Sequence, residues 1–380
     1  MNSYARDFHD FEDVIWLNAA SEGPLPNAAK EALAEAVAWK RAVHQLDIPK
    51  FIRVPRELRQ SIGSLMNVDP ADVILGNSAS YGLHLLADGL PWQSGDDVLL
   101  MENDFPTDIL PWLALEDRGV MVRQVKPAGW VLTADEIAQN IAPRTRVVCL
   151  SHVHTFSGHM IDAQAVAAVC RRHGIIFVLN VVQSLGNRPV DVAALGADAV
   201  VAVGYKWLCG PYGTGFCWIR PEVRRRLRLN RAYWSGYLTA EELEVEGPLT
   251  RKRIDNARGL DIFGTANFFN FVPLQAALQY WLAITPNAVQ EHNSGLVNAL
   301  VDGLDPAKYR LISPVEPDQR TNLVVLSLAD ASGNAGLHKA LQAEKIYTAL
   351  WKGRIRLTPH VYNDKAQISR VLTFLNEYPL

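Results

Sequence analysis

The sequence predicts an α/β fold with a mainly parallel sheet, on the evidence of three observations. Short apolar runs rich in β-branched residues alternate with helical stretches from about residue 70 to residue 220. The runs have the composition of strands that are buried on both faces. Polar or small side chains follow several of the runs directly. Ligands of such folds bind beyond the carboxyl ends of the strands, so we expect the functional residues to lie there.

The elements can be assigned in chain order. Residues 1–25 should be extended and end at Gly23 and the prolines that follow it, and an Ala-rich helix should begin after them. Helices are expected at residues 27–43, 55–66, 83–90 and 162–173, and strands at residues 72–76, 97–101, 146–151, 175–180, 198–203 and 216–219.

The last part of the chain has the pattern of a small α/β domain. It contains expected strands at residues 322–327 and 354–357, a helix near residues 336–344 and a final amphipathic helix. We therefore divide the chain into an N-terminal segment (1–25), a large domain (26–285) and a small C-terminal domain (286–380).

Bulk composition favours a small-molecule partner. The 380 residues are 49% hydrophobic, which suffices for two domains, and the formal net charge is −3. This charge gives no electrostatic reason to expect nucleic acid or a membrane as the partner. A basic run at residues 220–231 has helical spacing and is interpreted as a solvated face or a subunit contact. The first residues lack a signal pattern, and no apolar run is long enough to span a membrane, so we expect a cytoplasmic protein.

Lys206 stands between the two apolar runs that end at residue 203 and begin at residue 216. Burying an unpaired ammonium there would be costly. The cost is avoided if the amine loses its charge, through a lowered pKa or through a Schiff base with a carbonyl compound. The alternative is a surface lysine at a hairpin corner.

Small residues at positions 77–82 separate an expected strand from a helix. Free backbone N–H groups at such a helix start can bind an anion such as phosphate, and the helix dipole adds to the attraction. The alternative is an ordinary helix cap formed by the serines.

Histidines and cysteines do not form a recognisable metal motif. His152, His154 and His159 are close in sequence, but they include no i, i+4 helical pair and have no nearby cysteine or carboxylate cluster, so we predict no metal. The four cysteines lack Cys-x-x-Cys spacing and are expected to be packed thiols: Cys149, Cys170, Cys209 and Cys217.

Several motifs in order resemble one family over nearly the whole chain. They lie at residues 16–20, 103–107, 204–208, 263–267 and 356–363, together with the polar strand end at residues 180–183. This pattern resembles the fold type I enzymes that use pyridoxal 5′-phosphate (PLP), in particular the aminotransferase class V superfamily. Within it the chain is most similar to the branch of isopenicillin N epimerase-like and cysteine desulfurase-like enzymes.

The resemblance implies a PLP-dependent homodimer with shared active sites and assigns a role to each matching residue. Lys206 would carry the cofactor as a Schiff base and act as acid and base at the substrate Cα. The expected cofactor-binding residues are Ala79, Ser80 and Tyr205 at the phosphate, Gly264 and Thr265 at the phosphate of the neighbouring subunit, Phe105 over the ring, Thr155 and Gln183 at the phenolic oxygen, and Asn180 at the ring nitrogen. The expected substrate-binding residues are Asn18, Ala19, His154 and Arg356, the last as a clamp for an α-carboxylate in preference to Arg354.

Asn180 departs from the family pattern, which has an aspartate at this position. An amide lacks the charge that keeps the ring nitrogen protonated, so we expect a weaker electron sink than the family has. This favours a lyase that acts by β-elimination, including carbon–sulfur cleavage, or an epimerase. The resemblance also implies that desulfurases need a mobile cysteine in the last third of the chain, and none follows Cys217. An aminotransferase, an oxidative or decarboxylating enzyme, and a non-catalytic binding protein are the alternatives.

Overall fold

The computed structural model of the protein describes residues 4–250, 256–264 and 266–379. In this part of the chain the strands are β1 (Ile15–Trp16), β2 (Val73–Gly76), β3 (Asp97–Met101), β4 (Met121–Val125), β5 (Thr145–Ser151), β6 (Ile176–Asn180), β7 (Ala199–Val203), β8 (Gly215–Ile219), β9 (Tyr309–Leu311), β10 (Val324–Leu328), β11 (Ile346–Tyr347), β12 (Ala349–Trp351) and β13 (Arg354–Leu357). The helices are α1 (Asn27–Arg41), α2 (Ile48–Met66), α3 (Ala79–Gly89), α4 (Leu110–Leu113), α5 (Ala134–Asn140), α6 (Ala163–Arg172), α7 (Val192–Leu195), α8 (Pro221–Arg224), α9 (Trp234–Tyr237), α10 (Ala240–Leu243), α11 (Phe268–Ile284), α12 (Pro286–Gly303), α13 (Asn334–Ala343) and α14 (Lys365–Glu377).

A seven-stranded sheet in the order β2-β8-β7-β6-β5-β3-β4 forms the centre of the molecule. Five of its strands pair in parallel from β7 to β4, whereas β8 is antiparallel to both β7 and β2. The predicted α/β fold with a large, mainly parallel sheet is therefore confirmed, with β8 as its antiparallel member. The antiparallel direction of β8 is consistent with the connection after β7, residues 204–214, which contains no helix that could cross back over the sheet.

Both faces of the sheet are covered, which explains why its strands are apolar throughout. Alternate residues of one strand enter two separate cores, with Leu99 on one side and Val98 and Leu100 on the other. Because successive side chains of a strand point to opposite faces, each strand needs apolar residues at every position.

Two predicted helix starts were wrong. Helix α2 begins at Ile48 instead of residue 55, since the Asp47 side chain accepts a hydrogen bond from the Lys50 backbone and a proline occupies the first turn. Helix α3 begins at Ala79 instead of residue 83, because the Ser78 hydroxyl accepts a hydrogen bond from the Tyr81 backbone N–H. The second correction places a helix N-terminus at the predicted anion-binding segment.

The C-terminal part contains a second sheet in the order β12-β13-β10-β9, with antiparallel neighbours. The N-terminal segment joins this region, because β1 pairs with β11 in parallel and Asn18 forms a bridge with Thr358. The sequence-based division at residues 25 and 285 stays a prediction.

The basic run after β8 is helical only at Pro221–Arg224, so the predicted helical spacing does not continue through it. Its arginines make ion pairs, among them Arg220 with Asp198, Arg224 with Asp72 and Arg225 with Glu222. Across residues 4–250, 256–264 and 266–379, no helix combines the length and apolar character needed to cross a membrane.

Candidate active site

Lys206 lies in the turn between β7 and β8, beyond the carboxyl end of β7. The residue is only 9% exposed, and its Nζ makes no hydrogen bond or ion pair within the described part of the chain. Burial, followed by the nearby guanidinium of Arg356, lowers the pKa of Lys206 to about 8. The alternative of a surface lysine at a hairpin corner is therefore wrong.

The lysine faces a cavity that we call the Lys206 cavity. Each segment that lines this cavity follows the carboxyl end of a strand of the central sheet, as expected for this class of fold. The lining residues are Ser78, Ala79 and Ser80 after β2, Phe105 and Thr107 after β3, Ser151 and Thr155 at and after β5, Asn180, Val182 and Gln183 at and after β6, and Val203, Tyr205 and Lys206 at and after β7.

One end of the cavity is the N-terminus of α3. The backbone N–H groups of the first turn have no partner within their own helix, so those of Ala79 and Ser80 are available to an anion. The Ser80 hydroxyl lies 3.3 Å from the Thr107 hydroxyl. A Cβ atom at Gly215 would lie 2.5 Å from the Ser78 nitrogen, so only glycine permits this position of the helix start. The end of the cavity has the donor set of a phosphate site.

Aromatic side chains flank the lysine. The Lys206 Nζ atom lies 5.3 Å from the centre of the Phe105 ring and 6.0 Å from that of Tyr205. The Tyr205 ring packs on Tyr212 with a centroid distance of 4.5 Å, and burial raises the pKa of Tyr205 to about 12. Phe105 can therefore cover a flat ring linked to Lys206, and Tyr205 keeps a neutral hydroxyl.

Gln183 is held in place from both ends of its side-chain amide. Its Nε2 donates to the Ala20 carbonyl at 3.1 Å, and its Oε1 accepts from the Trp207 indole at 2.9 Å. The amide nitrogen keeps a second hydrogen, because it has two donors. Thr155 is buried and lines the same cavity.

Asn180 is bound to a buried carboxylate that the sequence analysis missed. Its Nδ2 donates to the two oxygens of Asp108 at 2.8 and 3.0 Å, and Ser151 donates its hydroxyl to Asp108 at 2.8 Å. Burial, with the neighbouring carboxylate of Asp104, raises the pKa of Asp108 to about 8. The only sequence signal is the acidic composition of residues 102–108, a segment interpreted through Phe105 alone.

Arg356 is a buried guanidinium without a carboxylate partner among the described residues. The residue is 2% exposed, and burial lowers the pKa of Arg356 to about 10. Its Nη2 donates to the Ser21 hydroxyl at 2.8 Å and to the Asn18 amide oxygen at 3.4 Å, whereas its Nε has no hydrogen-bond partner among these residues. Arg354, by contrast, is half-buried and packs over the Trp130 ring. A buried cation of this kind needs an anion, so the geometry favours Arg356 over Arg354.

Of the remaining predicted residues, His154, Ala19 and Gly264 do not line the cavity. Both His154 ring nitrogens are already hydrogen-bonded, to the Ser157 hydroxyl and the Asn103 carbonyl, and Ala19 is fully buried. Gly264 is exposed with a φ of +75°, and Thr265 lies outside the described residues. Within the described ranges, no three histidine, cysteine or acidic side chains are placed to hold a metal ion.

All four cysteines are buried free thiols. Burial raises the pKa of each of them, in the case of Cys170 to about 12. A thiol with a raised pKa carries little thiolate at neutral pH and is a poor nucleophile.

The fold and this site define the class of protein. The family described as aminotransferase class V matches residues 24–359, so the chain belongs to this family and is an enzyme of its superfamily. The predicted family and enzyme class are confirmed.

Two curated relatives cover almost the whole chain. A probable cysteine desulfurase of Methanothermobacter thermautotrophicus is 26% identical over 98% of this chain and 96% of its own length. Isopenicillin N epimerase of Amycolatopsis lactamdurans is 23% identical, over 96% and 95% of the two chains.

Solved structures share the fold. A mutant of the enzyme C-DES with glycine covalently linked to its PLP cofactor superposes with a TM-score of 0.89, at 22% identity and with both chains covered completely. The complex of the cystine C–S lyase C-DES with its product cysteine persulfide gives a TM-score of 0.86 at 23% identity, with 97% and 98% covered.

Proposed function

We propose that this protein is a PLP-dependent lyase that cleaves the bond between the β-carbon of an amino acid and a leaving group such as sulfur. One observation carries the proposal. A single cavity brings together a buried lysine, an aromatic ring beside it and the N-terminus of a helix, and a buried guanidinium lies near the lysine. Among the described residues, neither the lysine nor the guanidinium has a carboxylate partner. A PLP enzyme that uses amino acids needs an amine for the cofactor's aldehyde, a surface that covers its ring, a site for its phosphate and a site for the substrate carboxylate.

The residues present fit PLP as the cofactor. The first turn of α3, with Ala79 and Ser80, would hold the phosphate, and Phe105 would cover the ring. Gln183 and Thr155 would bind the phenolic oxygen, and Asn180 would face the ring nitrogen. When bound, PLP supplies an aldehyde for amines and a ring that withdraws electrons from the bonds at Cα.

Lys206 has the properties of the acid and base of the reaction. With a pKa of about 8, roughly a tenth of its side chains are uncharged at pH 7, so its Nζ can both accept and donate a proton. Lysine with its usual pKa would be almost entirely protonated. Lys206 would remove the proton from the substrate Cα and return a proton to the leaving group.

Arg356 would bind the substrate α-carboxylate. Its guanidinium is fixed by Ser21, Asn18 and the Thr155 carbonyl, and its Nε has no hydrogen-bond partner in the part of the chain that the structure describes. Because a planar guanidinium binds a carboxylate through two parallel hydrogen bonds, this arrangement would orient the substrate as well as attract it.

The cysteines support a lyase over a desulfurase that passes sulfur to its own thiol. All four are buried with raised pKa values, and the sequence has none after Cys217. Sulfur cleaved from a substrate would therefore be released in a small-molecule product and would not be passed to a thiol of the enzyme. The second candidate is an epimerase, which the similarity to isopenicillin N epimerase favours.

The active unit is proposed to be a homodimer. Gly264 and the exposed Phe263 beside it lie on the surface, consistent with a contribution of residues 264 and 265 to the neighbouring subunit's phosphate site. Cytoplasmic location stays a prediction from the sequence.

The cofactor assignment is tested by reduction and peptide mapping. The purified protein, reconstituted with PLP, should be yellow, and treatment with borohydride should fix the cofactor to the peptide that contains Lys206. Lys206→Ala should lose this label, whereas Lys352→Ala, at a neighbouring exposed lysine, should keep it. A label on another lysine of the wild-type protein would refute the site.

The reaction is tested with a panel of amino acids that includes cysteine and cystine. A lyase should release pyruvate and ammonia together with a sulfur product. Racemised substrate without these products would identify the epimerase, and conversion that needs a keto acid would identify an aminotransferase. Cofactor bound without any turnover of the panel would favour the non-catalytic alternative.

A further inference from the structure

We propose that Asp108, acting through the side-chain amide of Asn180, supplies the negative charge that keeps the cofactor's ring nitrogen protonated. The inference rests on the proposed function, because it concerns the PLP site. In the family a carboxylate at position 180 supplies this charge. Here the charge would come from a residue 72 positions upstream of Asn180. Asp108 is thus a positioning residue, and Asn180 is the group that touches the ring.

The orientation of the Asn180 amide is fixed by two partners of opposite character. Its Oδ1 accepts from the Val182 backbone N–H at 2.9 Å, and its Nδ2 donates to Asp108 at 2.8 and 3.0 Å. A flipped amide would place its NH₂ group against the N–H of Val182 and its oxygen against the Asp108 carboxylate, with loss of both hydrogen bonds. The amide oxygen is therefore held in one position.

This orientation presents an acceptor to the cavity. An amide oxygen has two lone pairs, and Val182 uses one of them. Asn180 lines the Lys206 cavity, whereas Asp108 lies behind it and is 1% exposed. The carboxylate polarises the amide that it binds, which makes Oδ1 a stronger acceptor for a protonated ring nitrogen.

The charges around Asp108 favour a cation on the cavity side of Asn180. Asp104 lies nearby, with its oxygens accepting from the Phe105 and Ser151 backbone N–H groups. Neither carboxylate forms an ion pair within the described part of the chain, and the positive charge of Lys206 lowers the pKa of Asp108. Cys149 also lies near Asp108, and burial raises the pKa of that thiol and keeps it neutral.

In the cofactor-free chain the pKa of Asp108 is about 8, so this carboxyl is largely protonated at pH 7. A positive charge on the ring nitrogen, one amide away, would favour the ionised form of Asp108, as the ammonium of Lys206 already does. A nearby opposite charge raises the pKa of a basic nitrogen by about one to three units. The weaker electron sink expected from Asn180 alone would thereby be offset, since a carboxyl group on a different loop can take the missing charge when the ring nitrogen is protonated.

The test measures the ring nitrogen directly. The wild-type holoenzyme is prepared with PLP that carries ¹⁵N in the ring, and the ¹⁵N chemical shift is followed from pH 6 to pH 9. We expect a protonated ring nitrogen in the wild type at pH 7. Asp108→Asn, which keeps the shape and removes the charge, should lower the pKa of the ring nitrogen by about one unit or more. Asp108→Asn with Asn180→Asp should restore it.

The controls separate charge from structure. Absorbance spectra of the bound cofactor are recorded in parallel with a deaza analogue of PLP, which has carbon in place of the ring nitrogen. The effect of Asp108→Asn on the pH dependence of the spectrum should disappear with this analogue. A persisting effect would indicate a purely structural role and overturn the proposal.

Each other outcome also decides the question. An unprotonated ring nitrogen at pH 7 in the wild type would overturn the inference without need of any variant, even if Asp108→Asn failed to fold. The same holds if Asp108→Asn binds PLP and leaves the ¹⁵N shift unchanged. A wild-type protein that binds no PLP at Lys206 would overturn the proposed function itself, and this result is visible before any ring nitrogen is measured.

Discussion

Nζ of Lys206 lies 5.3 Å from the centre of the Phe105 ring, although the two residues are 101 positions apart in the chain. The carboxyl ends of β3 and β7 bring them together at one edge of the sheet. A flat ring attached to the lysine would thus lie within reach of the phenylalanine.

Phe105→Ala should weaken PLP binding. Loss of aromatic stacking costs about 0.5–1.5 kcal/mol, so the dissociation constant should rise about two- to tenfold. Fluorescence titration of the cofactor-free protein measures this. Phe269→Ala, at an exposed phenylalanine, serves as the control and should bind PLP as the wild type does. Equal affinities for the Phe105 variant and the wild type would contradict the stacking role.

Gly215→Ala should disturb the phosphate end of the cavity. Its new Cβ would lie 2.5 Å from the Ser78 nitrogen, so the start of α3 would have to move, at a cost of about 1–3 kcal/mol. PLP should bind more weakly, and pyridoxal, which lacks the phosphate, should be much less affected. Gly129→Ala is the matched control, since a Cβ there meets nothing within 4 Å. Parallel losses for PLP and pyridoxal would show that the substitution acts on the whole fold.

Arg356→Ala should weaken the binding of carboxylated substrates by about 2–5 kcal/mol, the cost of removing one partner of a buried charge pair. Cofactor content should be unchanged. The corresponding amine without a carboxylate should bind equally to the variant and the wild type. Arg354→Ala is the control. If Arg354→Ala loses affinity for carboxylated substrates while Arg356→Ala binds them as the wild type does, the clamp has been assigned to the wrong arginine.

Lys206 should make the stability of the cofactor-free protein depend on pH. Its pKa is about 8 in the folded chain and 10.5 in the unfolded chain, so the unfolded state binds more protons between these values. The free energy of unfolding should therefore rise with pH from about 8 to 10.5, by about 3 kcal/mol. Below pH 8 the buried ammonium destabilises the fold.

Urea unfolding at pH 7.5 and at pH 10 measures this dependence as a difference between the wild type and Lys206→Met. The Met variant should be the more stable of the two at pH 7.5, and the advantage should shrink at pH 10. Lys352→Met, at an exposed lysine, controls for the loss of one charge. A constant difference at both pH values would refute the lowered pKa.

The four thiols should react slowly in the native protein, because each is buried and its pKa is raised. Titration with a disulfide reagent should detect few thiols until a denaturant is added, and then all four. Turnover should survive treatment with iodoacetamide. If alkylation rapidly abolished activity, and only the untreated enzyme released sulfide, the result would support a mechanism with a cysteine nucleophile.

Local patterns in the sequence predict most of the central sheet and the position of Lys206. Apolar runs of strand length and the turn residues that end them mark the carboxyl ends where the cavity forms. The start of α3 was missed because the Ser78 side chain, rather than any helical periodicity, determines it. The family resemblance favoured Arg356 over Arg354 as the carboxylate clamp, while the local sequence left a surface salt bridge open for both arginines.

Contacts between distant segments decide the remaining features. Arg356 is distinguished from Arg354 by Asn18 and Ser21, which are more than 330 positions away. Asp108 pairs with Asn180 across 72 positions, and nothing in either local sequence indicates that pairing. One sequence contains no record of which loops meet, so an electrostatic arrangement divided between loops needs the tertiary structure.

The pairing of β1 with β11 has a consequence for the order in which the protein is made. The ribosome produces Lys206 and the entire central sheet well before β11 and Arg356, which follows the lysine by 150 positions. The N-terminal strand must therefore wait for its partner until nearly the whole chain has been synthesised. A nascent chain could complete the cofactor side of the cavity while it still lacks the arginine that would recognise the substrate.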